Sequence, residues 1–207
     1  MINFDALRAA EVQAAPYTHF SAENVITNEQ AADIRRDYPD ITKSGYLPLT
    51  ELKSEGEFAK LITDLQSVEL ADILSDKLSL DLADKPRMIT VRKVSKKTCG
   101  RIHTDGKAKL CTMLIYLNES WDNSEGGAIR VFETDESMDK YEKEVAPIAG
   151  NVFAFRRADN SWHGHPPFEG IRYVVQVTFL QDEKELQRKQ KRGVLQFFLK
   201  LFNPLAK

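Results

Sequence analysis

Apolar positions recur at helical spacing through the first part of the chain and at strand spacing after it. Residues 1–15 predict a short helix, and Pro16-Tyr17-Thr18-His19-Phe20 an entering strand. Thr27 followed by Gln30 is a capping-box pattern, so a helix is expected over Asn28–Tyr38, with Pro39 ending it. Helical periodicity returns through Glu57–Leu65 and Val68–Leu78, and Asp84-Lys85-Pro86 forms the turn into a strand-rich region. There Leu110–Leu117 is β-rich and mostly apolar, and Ala128–Phe132 alternates apolar with polar. Asn151–Phe155 and Tyr173–Leu180 are two further runs. Turn signals at Asp122–Gly127, Ala149-Gly150 and Glu169-Gly170 separate them. The acidic stretch Glu133–Glu144 lacks strand character and is expected to be a loop, either a lid or a surface crossing. Helices first and strands afterwards give an α+β layout, with the helices buttressing one face of the sheet.

The tail has a different character. Residues 187–207 hold six basic side chains and no acid, while Val194, Leu195, Phe197, Phe198, Leu199, Leu201, Phe202 and Leu205 fill one broad helical face. Such a helix can pack on its own domain, meet a second copy or partner, or lie on an anionic membrane surface. Composition narrows the rest. A chain of 207 residues, 42% hydrophobic and 29% charged, suits one soluble domain with a sizeable core. A net charge of −2 gives no push toward nucleic acid. The two cysteines, Cys99 and Cys111, form no CxxC and are expected as reduced thiols in the cytoplasm. No signal-peptide pattern and no transmembrane run is evident.

Candidate chemistry lies in two clusters that hold three of the four histidines: His103-Thr104-Asp105, and Ser161-Trp162-His163-Gly164-His165 followed by Gly170-Ile171-Arg172. Two imidazoles and one carboxylate can cap one face of an octahedral Fe(II), and the absence of a thiolate among them argues against structural zinc. Arg172 offers a planar fork suited to a carboxylate, and Tyr116 a phenolic donor. The plainer alternatives are an exposed turn for the HxD, a surface ion pair for Arg172 and a core aromatic for Tyr116. His19, between aromatic residues and far from both clusters, reads as structural. Alternation along a strand cannot choose between His163 and His165, since residues two apart point the same way.

From about Met88 to Leu180 the chain resembles the prolyl-hydroxylase-type branch of the 2-oxoglutarate/Fe(II) oxygenases. The residues that carry the resemblance are His103-Thr104-Asp105, Ile115-Tyr116-Leu117-Asn118, Gly126-Gly127, Ala146–Asn151, His163 and Gly170-Ile171-Arg172. It is also similar to a bacterial subgroup with an SWHGH signature. The resemblance implies a double-stranded β-helix, or jelly roll, with His103, Asp105 and His163 as iron ligands and Arg172 and Tyr116 as contacts to 2-oxoglutarate. The spacing to Arg172 fits His163 better than His165, which leaves His165 beside the ligands or facing substrate. Many relatives carry a further Tyr on the strand before HxD. Here that stretch is Val91–Lys97, so Arg92 or Lys93 either reaches a cosubstrate or acidic substrate, or guards a solvated strand edge.

The implied activity is a dioxygenase that uses Fe(II), 2-oxoglutarate and O2, with ascorbate as a candidate reductant. It would hydroxylate a peptidyl-proline, amino acid, saccharide or other small molecule and release succinate and CO2. A cupin-like metal- or ligand-binding protein is the alternative, and metal-assisted hydrolysis a weaker third. The expected organisation is one oxygenase domain over 1–182, with helical support in 1–87 and the jelly-roll core in 88–182. Residues 183–207 then form the basic amphipathic helix, available for a homodimer or peripheral membrane contact.

Overall fold

A computed structural model describes residues 1–122 and 126–191. In chain order they form α1 (Phe4–Ala9), β1 (Val12–Gln13), β2 (His19–Ala22), α2 (Asn28–Arg36), β3 (Leu47–Pro48), a 3-10 turn (Leu49–Glu51), α3 (Gly56–Leu65) and α4 (Val68–Leu78). The strand-rich part follows as β4 (Arg87–Ser95), β5 (Lys109–Tyr116), β6 (Ile129–Phe132), β7 (Lys143–Val145), β8 (Val152–Arg156), β9 (Trp162–Gly164) and β10 (Gly170–Leu180).

Local signals account for the helices. Thr27 and Gln30 form the capping box, each side chain meeting the other's backbone N–H, and Ser67 accepts from Leu70 N to open α4. Several boundaries differ from the sequence reading: α2 ends at Arg36 rather than Tyr38, and the strand expected from Pro16 begins at His19. Residues 1–15 are not all helix: α1 stops at Ala9, and Val12–Gln13 pairs with β2 as an edge strand. The loop expected over Glu133–Glu144 ends inside β7, where Glu144 lies opposite Arg130 and receives its guanidinium Nε–H at 2.5 Å.

The strands form an antiparallel seven-stranded sheet, β1-β2-β8-β5-β10-β4-β3, and a three-stranded sheet, β7-β6-β9. Alternation sends the large sheet's side chains into two cores. Cys111, Met113, Ile115, Val175, Val177 and Phe179 pack against Leu61, Leu65, Leu74 and other residues of the helices. Leu114, Tyr116, Phe153, Phe155 and Val174 face Ile129, Val131 and Val145 of the small sheet. Because both faces of the large sheet are covered, β5 and β10 read as nearly unbroken apolar runs. The strand carrying Arg92 is not an open edge there, since Leu47 and Pro48 of β3 pair with Val91 and Thr90.

Residues 183–191 are helical. The remainder of the amphipathic segment, 192–207, and the contact surface expected of it lie outside the described residues. Among the described residues no helix is long and apolar enough to cross a membrane.

Candidate active site

The site forms where the segment before β5 meets β9. His103 and His163 exchange backbone hydrogen bonds, each N–H donating to the other's carbonyl at 3.0 Å. Their rings come within 4.4 Å between centroids. Asp105 follows two residues on. Ligand-capable atoms of His103, Asp105 and His163 all lie within 4.8 Å of one another.

Both imidazoles are held in one tautomer. Nδ1 of His103 donates to the Arg101 carbonyl and Nδ1 of His163 to the Ser161 carbonyl, each at 2.9 Å. A carbonyl can only accept, so each Nδ1 carries a proton and Nε2 is the nitrogen left to ligate a metal. Burial lowers the His163 pKa to about 4 despite the opposing pull of Asp105, so this imidazole is neutral near pH 7. Burial works to raise the Asp105 pKa, but Lys109, His163 and the hydrogen bonds from Lys109 and Thr112 outweigh it and hold the carboxyl at about 2. Thr112 Oγ1 donates to one carboxylate oxygen at 2.7 Å, and Lys109 Nζ meets the other at 2.5 Å. Two imidazoles and an ionised carboxylate, with ligand-capable atoms close together, fit Fe(II) as a donor set.

Arg172 and Tyr116 mark the other end of the same interior. The two-residue period of β10 turns Arg172, Val174 and Gln176 inward, and Val174 pairs with Tyr116 on β5. Arg172 is 1% exposed. Its Nε donates to the Gly127 carbonyl at 3.0 Å, and Nη2 lies 3.5 Å from the Tyr116 hydroxyl. Burial raises the Tyr116 pKa, only partly offset by Arg172, so the phenol keeps its proton. A cavity of about 230 Å³ runs between the two ends, lined by Asp105, Lys109, His163, His165, Arg172 and Arg92 among others.

His165 lies in that cavity but outside the three-residue cluster. Its Nδ1 donates to the Pro166 carbonyl at 2.8 Å and its Nε2 is buried without a partner. Burial, then Arg172, lowers its pKa to about 3. His19 is buried away from the cavity, its Nδ1 bonded to the Tyr17 carbonyl. Lys109, Thr112, Tyr46 and Gln176 are cavity residues that sequence reasoning missed. Thr112 was within reach, because counting back in twos from Tyr116 along β5 arrives at it. Tyr46 and Lys109 carry no such signal.

With this geometry in place, likeness to known proteins becomes interpretable. Residues 90–180 match the family model of the 2OG-Fe(II) oxygenase superfamily, and that segment carries every residue of the cluster and Arg172. The matched segment is a little under half of the chain, and by it the chain is similar to the 2OG-Fe(II) oxygenase superfamily. No curated protein matches the chain. Solved structures with a similar fold include prolyl 4-hydroxylases from Phytophthora capsici (19% identity, TM-score 0.57, 78% of this chain) and Pseudomonas putida (16%, 0.57, 86%). Iron-bound HygX from Streptomyces hygroscopicus is also similar (12%, 0.53, 78%). The matched part spans 58% of the Phytophthora chain, 97% of the Pseudomonas chain and 81% of HygX. At these identities the likeness establishes the jelly-roll fold.

Proposed function

We propose that the protein is an Fe(II)- and 2-oxoglutarate-dependent dioxygenase in which His103, Asp105 and His163 hold the iron and Arg172 with Tyr116 holds the distal carboxylate of 2-oxoglutarate. The observation that carries this reading is one cavity with a His-Asp-His cluster at one end and a fully buried arginine at the other. When bound, the iron supplies oxygen activation coupled to oxidative decarboxylation of the keto acid. The chain's own residues do the rest. Thr112 orients the Asp105 carboxylate, the Arg101 and Ser161 carbonyls fix the imidazoles, and Arg172 anchors the cosubstrate through charge-assisted bonds. Phe155, its ring tilted against His163 with centroids 4.4 Å apart, and Leu114 give the cavity an apolar wall.

The prolyl hydroxylases among the structural neighbours favour a peptidyl-proline or small-molecule substrate on this scaffold, and a cytoplasmic location suits the free thiols of Cys99 and Cys111. A cupin-like metal-binding protein has no use for a buried carboxylate clamp, so that reading is not favoured. The test is anaerobic addition of Fe(II) and 2-oxoglutarate together. A visible charge-transfer band that needs both is expected, with succinate released once air is admitted. Absence of the band with iron demonstrably bound would reject the assignment.

A further inference from the structure

Arg92 on β4 is a cation that the machinery above leaves unused. It is 8% exposed, lines the same cavity as Asp105, His163 and Arg172, and lies over the Tyr46 ring at 4.2 Å from the centroid. Its Nε is buried with no hydrogen-bond partner. Its neighbour Lys93 points the other way and pairs with Asp40 at 3.5 Å, whereas no ion pair engages Arg92 among the described residues. Val174 pairs with Arg92 on one side and with Tyr116 on the other, so β10 lies between them and Arg92 stands two strands from Tyr116 on the same inner face. Nε is the buried atom, so the head group is partly withdrawn from water with no counter-charge among the described residues, and an anion in the cavity would relieve that cost.

The cosubstrate does not supply that anion. On the reading above, one carboxylate of 2-oxoglutarate meets the metal and the other meets Arg172 and Tyr116. Arg92, Lys109 and Arg172 are the basic lining residues, and Asp105 is the acidic one. A divalent metal and a dianionic cosubstrate cancel, so a surplus of positive charge survives assembly. The cavity also presents the buried, unpartnered Nε2 of His165, which is an acceptor because Nδ1 carries the proton.

We propose that Arg92, backed by Tyr46, is a specificity-determining residue that binds a carboxylate of the primary substrate, while His165 Nε2 accepts a hydrogen bond from a hydroxyl or amino group on the same molecule. The substrate class is then a small carboxylic acid with a nearby donor rather than a neutral peptide. This rests on 2-oxoglutarate being the cosubstrate.

The experiment uses the full chain with Mn(II) in place of iron, saturated with 2-oxoglutarate, and acetate as the probe. Saturable paramagnetic relaxation of the acetate methyl protons is expected. Arg92→Gln should weaken acetate binding at least about tenfold, and Arg92→Lys should restore part of it. Tyr46→Leu should weaken it too, and carries the comparison if Arg92→Gln does not fold. The proposal is overturned by non-saturable relaxation in the wild type, by equal binding in the variants, or by Arg92→Gln weakening 2-oxoglutarate more than acetate. Failure of the cosubstrate reading looks different: the wild type would form no band with Fe(II) and 2-oxoglutarate.

Discussion

Gly164 sits directly against the backbone of Gly100: a Cβ added to Gly164 would lie 2.7 Å from the Gly100 carbonyl oxygen. The Arg101 carbonyl and the Ile102 Cα would each be 3.0 Å away. Every obstacle is main chain, so nothing can rotate aside. Gly100 in turn has φ of +88°, and a side chain there would collide with the His165 ring. The glycine of the Ser161–His165 run therefore lets β9 close on the segment that carries His103.

Gly164→Ala should separate those two segments. Overpacking of this kind costs about 1–3 kcal/mol, and in a chain of this length that lowers the melting temperature by several degrees. Metal binding should fall with it. Calorimetry alongside an Fe(II) titration checks both, and an unchanged melting point with intact binding would show slack that the contacts do not suggest.

Thr112→Val keeps the shape of a β-strand side chain but removes the hydroxyl bonded to Asp105. The carboxylate loses its orientation while the fold stays, so metal affinity should drop about 10- to 100-fold. Competition against a chelator measures it, with circular dichroism as the control. Wild-type affinity would mean that Lys109 alone positions Asp105.

Arg172→Leu should separate cosubstrate from metal. Removing one member of a buried charge pair costs roughly 3–5 kcal/mol, two to four orders of magnitude in 2-oxoglutarate affinity. Iron binding should change far less. His163→Ala and Asp105→Ala should damage iron binding first and leave the protein folded, whereas His165→Ala should keep the iron. Titration of each variant with Fe(II) and then 2-oxoglutarate reads out the assignment; iron loss in the His165 variant with retention in the His163 variant would exchange their roles.

The two thiols should differ sharply in reactivity. Cys111 is buried and burial raises its pKa to about 12, whereas Cys99 is partly exposed. The thiolate is the nucleophile, so a raised pKa means less of it at a given pH. Iodoacetamide near pH 8 should label Cys99 and spare Cys111 until the protein unfolds, as peptide mass spectrometry would show. Equal labelling of the native protein would mean that the core face of β5 opens readily.

How much of this was legible in the sequence depends on how the residues are held. β5 and β10 announce themselves because burial on both faces makes them long apolar runs. β9 spans only Trp162–Gly164, too short for any period to register. The His163/His165 question stayed open for a physical reason: both rings do face the cavity. What separates them is the carbonyl that each Nδ1 finds, Ser161 behind His163 and Pro166 ahead of His165, which aims the two Nε2 atoms at different places. No spacing rule contains that. Arg92 was ambiguous because β3, only two residues long, determines whether β4 is an edge.

The reciprocal bonds between His103 and His163 join two stretches of chain sixty positions apart, with β5 through β8 folded in between. A partly folded chain can hold one histidine or the other in place, but not both. Iron should therefore act as a rivet driven last, and each increment of free metal above its dissociation constant should lift the stability of the whole barrel. Loss of metal in the cell would then expose the protein to proteolysis as well as silence it.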